Sequence, residues 1–233
     1  MGEHASCGDV AQIALWLALQ AGQMDLLDDV ERLVRARLLP SQIVDEKNPR
    51  RDGAWGVYSH PFGYGAILDV FAAVLHSLAD IHGQCVSTSR RGAPNVPTVH
   101  LHFDADTSQL TVQSKRGAEA SLIITPKRMD EPARQKPAGD GVGLRIRAPS
   151  WVTREKVRLT VENRALPLDW DGPYLRVSST DIVAGSAITL QHDLPPRQTV
   201  EEMPISHSKY ALTWRGDEVV SCDPKAPIYA PRP

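Results

Sequence analysis

Residues 143–203 read GLRIRAPSWVTREKVRLTVENRALPLDWDGPYLRVSSTDIVAGSAITLQHDLPPRQTVEEM, and the period of this stretch decides the fold. In GLRIRAP, KVRLTVE, PYLRVS and AITLQHD, apolar and polar residues alternate, as they do along a strand with one face buried. Pro, Gly, Asp and Asn mostly separate these segments, and Asp171–Gly172 is a hairpin signal. Working outward, the same period holds upstream in TVHLHFD (98–104), QLTVQS (109–114) and ASLIIT (120–125), and downstream in YALTWRGDEVVSCD (210–223). Short alternating strands at this spacing predict an antiparallel β-sandwich. The charged, Pro/Gly-rich stretch from Met129 to Gly141 is expected to be a long exposed hairpin loop.

Before Gly83 the period lengthens to that of a helix. DVAQIALWLALQAG (9–22) is apolar nearly all round, with Asp9 as expected N-cap and Gly22 as expected stop. A second helix, within residues 24–40, aligns Leu26, Leu27, Val30, Leu33, Val34 and Leu38. Its acids come first and its bases last, as the helix dipole favours, and Pro40 ends it. A third runs from about Ala66 to His82. The expected fold class is α+β and multidomain, with a helical segment over 1–83 and the sandwich over 84–233. The first helix, expected to be buried on most sides, carries more apolar surface than two short neighbours can cover, so association of copies through the helical half is expected.

Bulk composition narrows the function classes. The 233 residues are 42% hydrophobic and 23% charged with net charge −2, which gives no reason to expect nucleic acid or an anionic membrane as partner. No apolar run approaches membrane-spanning length, and the start lacks a signal-peptide pattern. A cytoplasmic location is therefore expected. Cys7, Cys85 and Cys222 are too few and too scattered for a disulfide framework.

The order of parts in 143–203 is a strand ending in Pro-x-Trp, a hairpin tip, a Gly-Pro-Tyr-Leu strand, and a Gly-led strand ending in an apolar-Pro pair. It resembles the β-sandwich domain of the bacterial β-L-arabinofuranosidases of glycoside hydrolase family 127. DDVERLVRARLLPSQI (28–43) looks like a helix of that family with a Tyr-Ala-Asp-x-x-Glu-Arg pattern, and the order of parts matches over about residues 3–205. The resemblance implies the last helices of an (α/α)6 toroid followed by the sandwich, a partner that is a carbohydrate, and hydrolysis of an L-arabinofuranoside or related sugar. It also implies that most of the toroid has no counterpart in these 233 residues.

Members of that family hold zinc with a Glu and three cysteines, one of them the nucleophile. By resemblance, Glu3 and Cys7 are the remnant catalytic pair, in GEHASCGD ahead of the first helix. The spacing is wider than the family's Glu-x-Cys, and the loop SHPFGYG (59–65) lacks the expected cysteine pair. No cofactor is therefore expected, and the chain alone is not expected to be a competent enzyme.

Other candidates come from the residues themselves. Trp55 and Tyr58 offer aromatic faces to a sugar ring, and His60 and Tyr64 offer hydrogen bonds to hydroxyls. His100 and His102 share a strand face near Asp104 at a spacing compatible with metal, though a polar face is the commoner outcome. The Arg-Gly-Asp within WRGDE and the carboxylates of Asp169 and Asp171 both read as hairpin turns. The rival reading is a non-catalytic carbohydrate-binding or oligomerisation module; a third is a truncated product with no independent role.

Overall fold

The computed structural model describes residues 4–44, 47–49, 52–56, 68–88, 96–127 and 141–224. Among these, every helix longer than a single 3-10 turn precedes Cys85 and every strand follows it. The chain nevertheless divides differently from the expected boundary. Residues 82–194 form one compact unit, whereas 195–233 belong with 1–81 in the other.

The first unit begins with α1, His4–Ala21. It starts a full turn before the expected cap, so Asp9 lies inside the helix. Gly22 does end it, at φ +80, a left-handed conformation that costs glycine little. Helix α2, Leu26–Leu33, continues through a π-helical turn, Val34–Leu38. Helix α3 spans Leu68–Gly83. Gly8 lets α1 approach α3 closely: a Cβ there would lie 2.9 Å from Ser77 Oγ and 3.0 Å from Ser77 Cβ. The same pair of helices is tied by Gln12, whose side-chain amide donates to Asp80 at 2.6 Å.

One face of α1 (His4, Gly8, Ala11, Gln12, Leu15 and Ala18) is buried. The other is not: Val10 is 55% exposed, Ile13 51%, Trp16 45% and Leu17 41%. Burial on most sides was expected from the composition of this helix. Two neighbours, however, cover only about half of a helical cylinder, and no third described element covers the rest.

The second unit is β-sandwich-like, with an antiparallel bias. Its strands are β1 (Val86–Ser87), β2 (Thr98–Val99), β3 (Ala105–Asp106), β4 (Leu110–Arg116), β5 (Glu119–Pro126), β6 (Val142–Arg147), β7 (Arg158–Val161), β8 (Arg164–Ala165), β9 (Asp169–Asp171), β10 (Tyr174–Ser178) and β11 (Ile188–Asp193). One sheet runs β1-β2-β6-β10-β9 and the other β3-β4-β5-β11-β7-β8. The alternation seen in the sequence maps directly onto burial: Val142, Leu144 and Ile146 of β6 point inward, as do Ile188, Leu190 and His192 of β11. The pairing of β2 with β6 is parallel. Asp171 and Gly172 lie at the β9–β10 hairpin, with Gly172 at φ +61.

The remaining strands, β12 (Pro196–Glu202), β13 (Lys209–Arg215) and β14 (Glu218–Asp223), form a separate three-stranded antiparallel sheet. Leu212, Trp214, Val219 and Cys222 bury one of its faces against Ala36 of the π-helical turn. Arg35 makes an ion pair at 3.2 Å with Asp217 in the β13–β14 turn, and Asp217 is 3% exposed. Sheet and helices thus share a core, which is the physical reason for the shifted boundary. It also places the Asp of the Arg-Gly-Asp turn inside the fold rather than on display.

Candidate functional site

In the first unit, the side of the three-stranded sheet that faces the helices also walls a cavity of about 920 Å³. Its contributors are Cys7 of α1, Arg32, Leu33, Ala36 and Arg37 from α2 and the π-helical turn, and a set of side chains from the sheet. Strand periodicity explains the last set. Arg197, Thr199 and Glu201 sit at alternate positions of β12 and so share one face. Register then pairs Arg197 with Trp214, Thr199 with Leu212 and Glu201 with Tyr210 on β13.

These pairs interact. The Arg197 guanidinium lies over the Trp214 ring, 4.4 Å from its centroid, within cation–π range. Trp214 donates its indole N–H to Thr199 Oγ1 at 2.9 Å. On the helical wall, Arg37 is only 7% exposed, whereas Arg32 is largely accessible and paired with Asp29 one turn back. The charged residues that line the cavity are therefore Arg32, already paired with Asp29, together with Arg37, Arg197 and Glu201.

His4 is buried one turn before Cys7 on α1, and its Nδ1 is hydrogen-bonded to the Gly56 carbonyl. A carbonyl only accepts, so Nδ1 carries the proton. Burial pushes the His4 pKa down to about 4; the bond to Gly56 opposes this shift, and the Arg37 guanidinium adds to it. The imidazole is neutral at physiological pH.

The residues singled out from sequence have different fates. Cys7 is a free thiol, half-buried, and lines the cavity. Glu3, Tyr58, His60 and Tyr64 lie outside the described residues. Trp55 is 3% exposed; its indole N–H donates to the Leu38 carbonyl at 2.7 Å, and its ring stacks on Phe71 at 6.2 Å. As placed, that ring is packed by protein rather than presented as an open stacking face, because it bridges the end of the second helical segment and α3.

The thiols do not assemble the three-cysteine metal site of the resembled family. Cys85 is fully buried in the sandwich unit, and Cys222 is packed beside Trp214 in the core of the other. Among the described residues, no group of three or more His, Cys, Asp or Glu could hold a metal ion.

His100 and His102, expected as a polar face or a metal pair, are buried and belong to a hydrogen-bonded network in the sandwich. His100 contacts Ser87 Oγ at 2.8 Å and Tyr174 Oη at 2.7 Å; His102 Nε2 donates to the Arg147 carbonyl at 2.7 Å. Arg147, 1% exposed, donates through Nε to the His100 carbonyl. Asp169 binds Arg176 through both oxygens at 2.8 and 2.9 Å, and Asp171 pairs with Arg145 at 3.5 Å. Those carboxylates organise a sheet edge.

His4, Arg37, Arg197 and Trp214 escaped the sequence reading. Its one available signal was the alternation of Arg197, Thr199 and Glu201 ahead of the Tyr210–Trp214 strand. Nothing in sequence tied that strand pair to a helix more than 150 residues earlier.

By sequence, neither a family model nor a curated protein matches the chain. By fold, it matches a structure described as a glycoside hydrolase with TM-score 0.62 and 16% identity, over 93% of this chain and 37% of that one. A structure described as a GH127 β-arabinofuranosidase gives TM-score 0.58 and 12% identity, over 93% and 36%. A GH127 β-L-arabinofuranosidase from Geobacillus stearothermophilus T6 superposes more loosely, at TM-score 0.38 with 12% identity, over 64% and 23%. The chain thus has the fold of part of a GH127-like protein and spans little more than a third of the length of the first of these structures.

Proposed function

We propose that this chain is a carbohydrate-active protein of glycoside-hydrolase type that binds saccharide in the cavity of its first unit, with L-arabinofuranosides or related sugars as the substrate class. In this reading α1 to α3 correspond to the last helices of an (α/α)6 toroid. The observation that carries it is the fold likeness to two glycoside hydrolases over 93% of the chain. The cavity supports it by its size, in the range of small-molecule sites, and by a thiol at its rim.

Glycoside cleavage calls for a nucleophile and an acid/base on opposite sides of the scissile bond. Cys7 is the nucleophile candidate in the cavity, and neutral His4, a turn away on the same helix, shares its end of α1. A zinc-bound thiolate in the manner of GH127 is not part of the proposal, since the sequence holds no cysteine between Cys7 and Cys85. That same gap favours the second reading, in which the chain binds saccharide without cleaving it. The exposed apolar face of α1 supports a further element of the proposal, self-association through the helical half.

Titration with arabino-oligosaccharides, followed by amide NMR, tests the reading. Stacking and hydroxyl contacts worth about 1 kcal/mol each imply binding near 4 kcal/mol, a roughly millimolar Kd. The expected shifts fall on Thr199, Glu201 and Tyr210. Absence of shifts at high millimolar sugar defeats the saccharide reading. Release of an aryl arabinofuranoside that Cys7→Ser abolishes would select the enzyme over the binding module.

A further inference from the structure

Charge in the cavity runs against the charge of the molecule. The whole chain has net charge −2, yet the cavity collects Arg32, already paired with Asp29, together with Arg37 and Arg197 against Glu201. Neutral sugars are recognised by open aromatic faces and hydroxyl partners. Here the large ring, Trp214, is 3% exposed, and the Arg197 guanidinium lies over it. A ligand entering from that side meets the guanidinium rather than the indole.

Resting on the reading of this cavity as a saccharide site, we infer that its ligand is an acidic sugar, a uronate whose carboxylate is held by the arginine-lined wall. The Arg197 guanidinium is restrained by its place over Trp214, 4.4 Å from the ring centroid, on a residue that is itself exposed. A planar guanidinium held this way binds a carboxylate through parallel hydrogen bonds with little ordering cost. Arg37, held in the opposite wall by burial, adds fixed positive charge in a partly desolvated space, where it acts more strongly than in water. Glu201 and Thr199 supply the partners for hydroxyls, and the Glu201 carboxylate disfavours a doubly charged phosphate. The wall therefore suits one negative charge set among hydroxyls.

The experiment compares D-galacturonate with D-galactose, which differ only by the carboxylate, and includes inorganic phosphate. Each is titrated into the full chain and followed at the Thr199, Glu201 and Tyr210 amides. Galacturonate is expected to bind about tenfold more tightly than galactose, the step that one charge-assisted contact gives. Arg197→Gln is expected to remove about that tenfold difference between the two sugars. Arg32→Gln, at an accessible helix position, is expected to weaken galacturonate about threefold, and it keeps the test valid should the Arg197 variant misfold. Equal affinity for galacturonate and galactose overturns the acidic-sugar inference and leaves the saccharide reading standing. Phosphate binding as tight as galacturonate overturns it in favour of a general anion site. Binding of neither sugar overturns the acidic-sugar inference, and the arabino-oligosaccharide titration then decides the saccharide reading by itself.

Discussion

The two units solve the problem of a closed interior in different ways. The sandwich buries its alternating residues in two sheets, and even its buried cation, Arg147, has hydrogen-bond partners. The helical unit buries one face of α1 and leaves Val10, Ile13, Trp16 and Leu17 between 41% and 55% exposed. Strands paired in two layers cover each other's inner faces, whatever lies outside them. A helix has a full circumference to cover, and α2, α3 and a three-stranded sheet do not surround α1. Among the described residues, then, the sandwich closes its core between two sheets, while α1 keeps an apolar face uncovered.

The largest expected effect is at Arg147. If the sandwich depends on its buried network, Arg147→Met should cost about 4 kcal/mol, because it strips the His100 carbonyl of a buried charged donor. Urea unfolding of the full chain measures this. A loss under about 1 kcal/mol would mean that the network is incidental and that apolar packing alone closes the sandwich.

The helical unit has a smaller vulnerability, set by pH. The His4 pKa is about 4 folded against an ordinary 6.5. Between those values the unfolded chain binds the additional proton. The stability that neutral His4 contributes is therefore complete above pH 6.5 and falls as pH drops towards 4, by up to about 3 kcal/mol. The stability difference between wild type and His4→Gln should shrink across that window. Parallel curves for the two proteins would show that His4 is not held neutral, and would remove this contrast between the units.

The smallest stability effect belongs to the open face. Paired Ile13→Lys and Trp16→Lys substitutions should change unfolding free energy by no more than about 0.5 kcal/mol, since both side chains are about half exposed. They should nonetheless convert a self-associating protein to monomer in sedimentation velocity. A wild type already monomeric at micromolar concentration would show that copies of the chain do not cover this face.

Much of the architecture was legible because period is a local property. Leu144 and Ile146, or Ile188 and Leu190, announce an inward face by alternation alone, and Gly22 and Gly172 mark a helix end and a hairpin through their backbone freedom. The α1 sequence likewise revealed an excess of apolar surface, but not which side would stay uncovered. Cys7 stood out in sequence and does line the cavity. Trp55 stood out equally, yet it became a core residue through Leu38 and Phe71, because a propensity to stack on a ring does not say which ring.

The pattern along the chain was enough for the helical first part, most of the alternating strands after it and several of their turns, since these follow from spacing and backbone preference within a few residues. Tertiary structure alone decided that residues 195–233 join the helical unit, that Arg197 covers Trp214, and that Arg37 approaches a neutral His4. Those facts depend on burial and register between segments far apart in the chain. Such contacts are chosen by the energy of the assembled core, which no local pattern encodes.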